Sequence, residues 1–497
     1  MNHDDHNYIR RQRARWAILP IIAIVIFAVD ASSLGRQTKE APNVSESVQQ
    51  ADKLRNEQKE SKDIQEQITY DGDQVWRVYK NNSSFDELVK RYDEHGSYSI
   101  WANNASITDI FVENHMLRNV RSIFKNLGLR HEVLIDDLQQ AINEENSPLS
   151  PEAEEELEGR KARYAWWQRV RSSYPRPRPL RYPVASVHGG GGPWHLRGHR
   201  MEWTSYHRLI DIHGYLDYLA ETFPEVCSVR TIGESIEGRP LKVLRISNGK
   251  PNAPALWIDG GIHAREWISP AAVTYVIDYL VENSEKLETD YYILPVVNPD
   301  GYEYSFNSER LWRKNRRKAS NVGCSGVDLN RNFGYRWGGK GTSQNVCHDT
   351  YSGTGPFSEP ETGAIRNFFQ TSAANFKAYL SFHSYGQYIL YPWGYDKRVP
   401  PDYLDLDRVG RAAAAAMKTA GGAGSVYTVG NSATTLYAAA GGSDDWAKAL
   451  LKIKYTYTFE LRDTGRYGFI LPARFIIPTA KEALAAVEVV TEACKKE

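Results

Sequence analysis

Apolar and polar residues alternate through Val75-Trp76-Arg77-Val78-Tyr79, which predicts a strand. Ser84 to Tyr92 reads as a helix, Ser97 to Trp101 as a strand, Met116 to Leu127 as a helix and His131 to Ile135 as a strand. Together they predict a small α+β domain over residues 69–145. From Trp203 onward a longer alternation begins. Helical stretches are predicted at Ile210–Phe223, Ala271–Leu280 and Ala480–Val490. Strands are predicted at Lys242–Ser247, Ala255–Asp259, Tyr291–Val297, Lys377–Phe382 and Tyr455–Phe459. This alternation of helices and strands makes residues 203–497 read as an α/β domain with a mostly buried sheet and its chemistry at strand ends.

The flanking segments have other patterns. Arg10, Arg11, Arg13 and Arg15 precede an apolar run from Trp16 to Val29, followed by small residues at Ala31, Ser32 and Ser33. This is the layout of a secretory signal over residues 1–31, with an uncleaved signal anchor as the alternative. Residues 32–68 form a polar lead-in. Residues 146–202 form a connector rich in Pro, Gly and Arg, of the exposed kind that proteases cut, or else a plain linker. Arg176 and Arg178 precede Pro, so Arg181, Arg197 and Arg200 are the better sites for a trypsin-like enzyme.

Composition adds limits. Hydrophobic residues make up 41% and charged residues 25%, which fits a packed protein. Lys+Arg and Asp+Glu both number 61, so global charge gives no case for nucleic acid. Four Cys are too few for a disulfide scaffold, though secretion permits bridges. Asn43, Asn81, Asn82 and Asn104 each begin an Asn-X-Ser triplet, in keeping with that route.

The chemistry starts where strand Ala255–Asp259 runs into Gly260-Gly261-Ile262-His263-Ala264-Arg265-Glu266-Trp267. Ser269 suits a helix N-cap and Pro270 the first helical position. That places His263 and Glu266 on a tight turn, where imidazole and carboxylate can grip one ion. A catalytic zinc site needs a third protein ligand, and His383 follows the strand Lys377–Phe382.

The sequence resembles the zinc carboxypeptidases of the pancreatic A and B type. The likeness runs through His263 to Trp267, Asn298-Pro299-Asp300-Gly301, Leu311-Trp312-Arg313-Lys314, Gly326 to Asn332, His383-Ser384-Tyr385, Tyr437 with Gly441-Gly442-Ser443, and Phe459 to Gly468. Residues 70–142 resemble the same family's inhibitory activation domain. The resemblance implies a mixed, mostly parallel sheet flanked by helices, preceded by a small antiparallel α+β domain. It implies one zinc on His263, Glu266 and His383, with zinc-bound water attacking and Glu460 as general base and acid. Arg313 would face the oxyanion, Asp328 would orient a zinc-bound histidine, and Asn330, Arg331 and Tyr437 would hold the substrate carboxylate. Arg265 would hold substrate backbone further along.

By the same resemblance Asp444 falls where the family has the residue at the base of the terminal side-chain pocket, unless it turns outward into solvent; Ser432, Ala439 and Gly394 are small at neighbouring pocket positions, and Asp445 falls on a largely structural aspartate. An acid there implies Lys or Arg preference, with A-type preference for hydrophobic residues as the alternative. The resemblance also implies a disulfide between Cys324 and Cys347. Cys227 and Cys494 either pair or stay as thiols. Between Trp446 and Tyr455 the chain is one residue longer than the family pattern, which leaves that loop open. The expected partners are peptide or protein C-termini, an activating trypsin-like protease and the chain's own pro-domain as inhibitor. A secreted monomer is expected, or one tethered by the signal anchor. A catalytically inactive relative that binds zinc or peptide ends is the competing reading, opposed by Glu460 and Arg313. The prohormone-processing type would need a further β-sandwich domain, for which the sequence after the last helix leaves no room.

Overall fold

The alternation at Val75–Tyr79 becomes β1 (Gln74–Tyr79), which pairs antiparallel with both β3 (Ile107–Val112) and β4 (His131–Ile135), while β2 (Ile100–Asn103) completes the sheet beside β3. Its strand order is β2-β3-β1-β4. The period of two sorts the side chains. Trp76, Val78, Ile110 and Val112 pack with Val120 and Phe124 of α1 (Leu117–Asn126). Val75 lies on the opposite face, in a cluster with Leu138 of α2 (Leu138–Glu144) and with Leu311, Tyr385 and Phe469 far along the chain. Arg77 and Asp109 share that parity and that face. Asp137 caps α2 by accepting from the Gln140 N–H.

The computed structural model describes residues 67–80, 100–104, 106–146, 201–319 and 323–497. The signal segment, the predicted helix at 84–92, most of the lead-in and connector, and Arg181, Arg197 and Arg200 lie outside them. Among the described residues no helix is long and apolar enough to cross a membrane.

The larger sheet comprises β5 (Cys227–Glu234), β6 (Pro240–Ile246), β7 (Pro254–Asp259), β8 (Asp290–Leu294), β9 (Asn375–Ser384), β10 (Tyr388–Tyr391), β11 (Thr428–Asn431) and β12 (Tyr455–Leu461). Its order is β11-β10-β12-β9-β7-β8-β6-β5. The central strands β12, β9, β7 and β8 are parallel, whereas β10, β6 and β5 each run antiparallel to an inner neighbour. Helices cover both faces. Leu256, Ile258, Leu380 and Phe382 point into a core shared with α3 (Leu209–Thr222), α4 (Ile268–Glu282), α7 (Tyr403–Gly421) and α9 (Ile476–Cys494). Trp257 and Tyr379 point the other way, toward α6 (Pro360–Thr371) and α8 (Ser443–Ala449). The helix α5 (Pro299–Asn307) lies between β8 and the loop that carries Arg313. Burial on both faces explains why β7 reads as a nearly continuous apolar run.

Two local expectations change. Helix α4 starts at Ile268 with Trp267 at its cap, so Ser269 and Pro270 lie inside the first turn. The Ser269 hydroxyl is already engaged: it donates to the Phe382 carbonyl at 2.6 Å and accepts from the Gly261 N–H at 3.0 Å. The predicted strand Tyr291–Val297 ends at Leu294, because Pro295 has no N–H for the ladder. The disulfide Cys324–Cys347 forms with a Cα–Cα distance of 5.1 Å, while Cys227 and Cys494 stay as buried thiols. The loop after α8 places Lys452 at φ 59° and leaves Glu460 paired in register with His383.

Just past β12, Arg462 reaches into the core. Its Nε donates to the fully buried Glu482 at 2.8 Å, and Tyr427 donates to the other carboxylate oxygen at 2.8 Å. Removing one partner strands a buried charge, which costs about 3–5 kcal/mol. Arg462→Met should therefore lower the unfolding free energy by that order in urea titration. Arg462→Met combined with Glu482→Leu should recover much of the loss.

Candidate functional site

Three parallel strand ends supply the site. After β7 the chain turns at Gly260 and Gly261, the latter at φ 64°, where a Cβ would lie 2.9 Å from the Pro270 ring. Only glycine permits so close a return, and the turn delivers His263 and Glu266. His383 comes from the end of β9 and Glu460 from the end of β12, directly opposite one another in register.

His263 Nδ1 lies 2.8 Å from Glu266 Oε1, and His383 Nδ1 lies 3.1 Å from Glu266 Oε2. The two Nδ1 atoms are 3.2 Å apart, and all three residues are buried. Their ligand atoms lie within 4.8 Å of one another. Two imidazole lone pairs and a carboxylate converging on one buried point fit a divalent cation. The set of two His and one Glu leaves the open position of a catalytic zinc site. The ring of His263 is held from behind, with Nε2 3.1 Å from Asp328 Oδ1. Asp328 Oδ2 accepts from Arg313 Nε at 3.1 Å and Nη2 at 2.9 Å, and the Asn330 N–H donates to Oδ1 at 3.0 Å. Burial alone would raise the pKa of Asp328, but Arg313, Arg331 and His263 outweigh it and hold the carboxyl well below its usual range.

Above this point opens a cavity of about 340 Å³. His263, Glu266, His383, Arg313, Asn330, Arg331, Tyr437, Asp444 and Glu460 all line it. Arg265 does not: it is 3% exposed, lies over the Phe469 ring at 4.3 Å and donates to the Leu311 carbonyl at 3.3 Å. Glu460 is pushed up to about 7, first by burial and then by the neighbouring Glu266 carboxylate, against the pull of His383, Arg313 and Arg331. Arg331 is anchored through the Gly341 carbonyl at 3.0 Å and the Asn330 carbonyl at 3.0 Å. Tyr437 stands 43% exposed at the rim.

Asp444, in the first turn of α8, lines the cavity together with Gly394, Ser432, Ala439 and Thr458. A Cβ on Gly394 would lie 3.2 Å from the Ala439 carbonyl and 3.7 Å from the Ser432 Cβ, so these small residues together set the width. Asp444 is 6% exposed, and burial raises its pKa. Asp445 faces away and accepts from the N–H groups of Gly394 and Tyr395, both at 2.8 Å, which fixes the wall.

Comparison with known proteins agrees with this geometry. Residues 212–486 match the family described as "Zinc carboxypeptidase", and residues 76–145 match "Carboxypeptidase activation peptide". The chain belongs to the zinc carboxypeptidase family. Carboxypeptidase B of Astacus astacus is 47% identical over 301 residues, covering 59% of this chain and 99% of that protein. Carboxypeptidase A4 of Mus musculus is 37% identical over 437 residues, covering 85% and 93%. The crystal structure of thrombin activatable fibrinolysis inhibitor (TAFI) superposes with a TM-score of 0.70 at 32% identity, covering 85% of this chain and 99% of that one.

In this carboxypeptidase the activation peptide forms a roof, for which sequence reasoning had named no residue. Arg77, Trp101, Asn104 and Ile107 line the same cavity as His263, Glu266 and His383. Arg77 donates twice to Asp109, at 2.8 Å each, and once to the Thr464 carbonyl at 2.6 Å. Tyr385, two residues beyond His383, donates its hydroxyl to Asp109 at 3.0 Å, and Asn104 Nδ2 donates to the Tyr388 hydroxyl at 3.2 Å. At the far end Glu145 accepts from Arg310 Nε at 2.9 Å and Nη2 at 2.6 Å in a fully buried pair. The alternation in β1 and β3 carries the signal that could have found this face, since Arg77 shares the parity of Val75. Losing a buried pair partner costs several kcal/mol. The double variant Asp109→Ala/Glu145→Ala should therefore hydrolyse a small peptide substrate faster than wild type before any proteolysis, and match it after trypsin treatment.

Proposed function

We propose that this carboxypeptidase is made as a secreted zymogen and, once cut, removes Lys or Arg from the C-termini of peptides. The observation that carries the specificity is Asp444, a buried carboxylate with no Lys or Arg ion-pair partner among the described residues, lining the cavity with the small residues Gly394, Ser432 and Ala439. An unpaired buried carboxylate is costly, and a substrate cation reaching it removes that cost. The B-type relatives agree with this reading, and the A-type relatives leave it open to test.

In the proposed reaction, Arg331, Asn330 and Tyr437 hold the terminal carboxylate, so that the last peptide bond lies beside His263, Glu266 and His383. Zinc on those three residues supplies Lewis acidity and lowers the pKa of a water that it binds. Glu460 takes one proton from the attacking water on its carboxylate and passes it to the leaving amine as the C–N bond breaks. Arg313, held by Asp328, faces the oxyanion that forms as water adds to the carbonyl carbon. Cleavage at Arg181, Arg197 or Arg200 would free the enzyme from its activation peptide, with residues 1–31 as the secretion signal.

A panel of peptides differing in the last residue tests the proposal after trypsin treatment. Lys and Arg should be released in preference to Phe and Leu, and Asp444→Ala should lower kcat/KM for Arg about 100-fold or more. Glu460→Gln should lower kcat by about 10²- to 10⁴-fold. The base must be ionised, so activity should fall as pH drops through its pKa. Faster release of Phe or Leu would overturn the Lys/Arg reading, and zinc binding without hydrolysis of any peptide would overturn the enzyme mechanism.

A further inference from the structure

Each histidine offers Nδ1 to the metal point, which requires its proton to sit on Nε2. For His263 the acceptor behind that proton is Asp328. For His383, Nε2 lies 3.2 Å from Ser381 Oγ, and Ser381 Oγ lies 2.6 Å from Asp259 Oδ1. A serine hydroxyl has one proton, and the short bond to a carboxylate takes it. Toward His383 the Ser381 oxygen can then only accept, which fixes the Nε2–H tautomer and the ring plane.

The sheet explains why these groups meet. Asp259 on β7 pairs in register with Ser381 on β9, and Ser381 and His383 are two residues apart on one face. Asp259 is 1% exposed, and no Lys or Arg forms an ion pair with it among the described residues. Its other oxygen accepts from the Trp257 indole N–H at 2.7 Å, which locks the carboxylate in orientation. A buried acid without a cation is disfavoured unless something positive lies close. A cation held by His383 meets that need through one hydroxyl.

We propose that Asp259 is a positioning residue for the zinc site, acting on His383 through Ser381, one hydroxyl longer than the direct contact of Asp328 with His263. The inference rests on the zinc site alone and does not depend on which residue the enzyme removes.

The test is zinc affinity of the full chain, measured by competition with a chelator, for Asp259→Asn, Ser381→Ala and the double variant, alongside the unfolding temperature of each metal-free chain. Outer partners of a ligand are worth about 10- to 100-fold in metal affinity, so each single variant should lose that much. The double variant should be no weaker than the weaker single, because both break one relay. Metal-free stability should change far less than zinc affinity. Ser381→Thr, which keeps the hydroxyl, should restore binding. Wild-type affinity in Ser381→Ala, losses that multiply in the double variant, or affinity falling only in step with metal-free stability would each overturn the proposal. If Asp259→Asn does not fold, Ser381→Ala and Ser381→Thr decide the matter.

Discussion

The cleft depends on the register of three parallel strands. Because β7, β9 and β12 lie side by side, Asp259 stands opposite Ser381 and Glu460 opposite His383. A slip of one residue would turn each side chain to the other face of the sheet and dismantle the site. Register is held by cores on both faces, with Leu256, Ile258, Leu380 and Phe382 on one side and Trp257 and Tyr379 on the other. Apolar packing thus sets the positions of polar atoms to within a hydrogen bond.

On that frame the buried acids divide into those paired with cations and those without. Asp328 is committed to Arg313 and His263, and Glu266 faces both histidines. Among the described residues Glu460 and Asp444, like Asp259, form no ion pair with Lys or Arg, and burial raises the pKa of Glu460 and of Asp444. In the proposed reaction Glu460 moves a proton and Asp444 receives a positive side chain. The activation peptide closes the same space with Arg77 and Asp109 satisfied by each other, by Thr464 and by Tyr385. Its hold combines those polar contacts with a hydrophobic seam around Trp101 and Phe469, which lines the same cavity, and with the buried Glu145–Arg310 pair.

Much of this was legible in the sequence where one physical signal dominates. β7 is a nearly continuous apolar run, and β9 and β12 are rich in aromatic and β-branched residues, so these strands could be read, and His263 and His383 with them; Glu460 was legible through the motif that follows β12. The last two strands at one side of the sheet, β10 and the edge strand β11, have four residues each and too little pattern to show. Helix α7 is rich in Ala, and Ala413 is buried while Ala412 and Ala415 are exposed, so residue type alone does not mark its buried face. Ser269 looked like a cap because the sequence does not show that a strand carbonyl competes for its hydroxyl. Asp259 and Ser381 were invisible as a pair, since only sheet pairing brings residues 122 apart in the chain together. Arg265 was readable by motif but not by place, as its stacking on Phe469 is a tertiary fact.

The central claim is that this cleft reads a free C-terminus and removes one residue from it. The most direct test follows two copies of one Lys-terminated peptide by mass spectrometry with the trypsin-treated, zinc-loaded protein, one copy with a free carboxylate and the other amidated. The account predicts loss of a single Lys from the free peptide, an intact amide, and no reaction of either after chelation. Cleavage of the amidated peptide, or internal fragments from the free one, would contradict it.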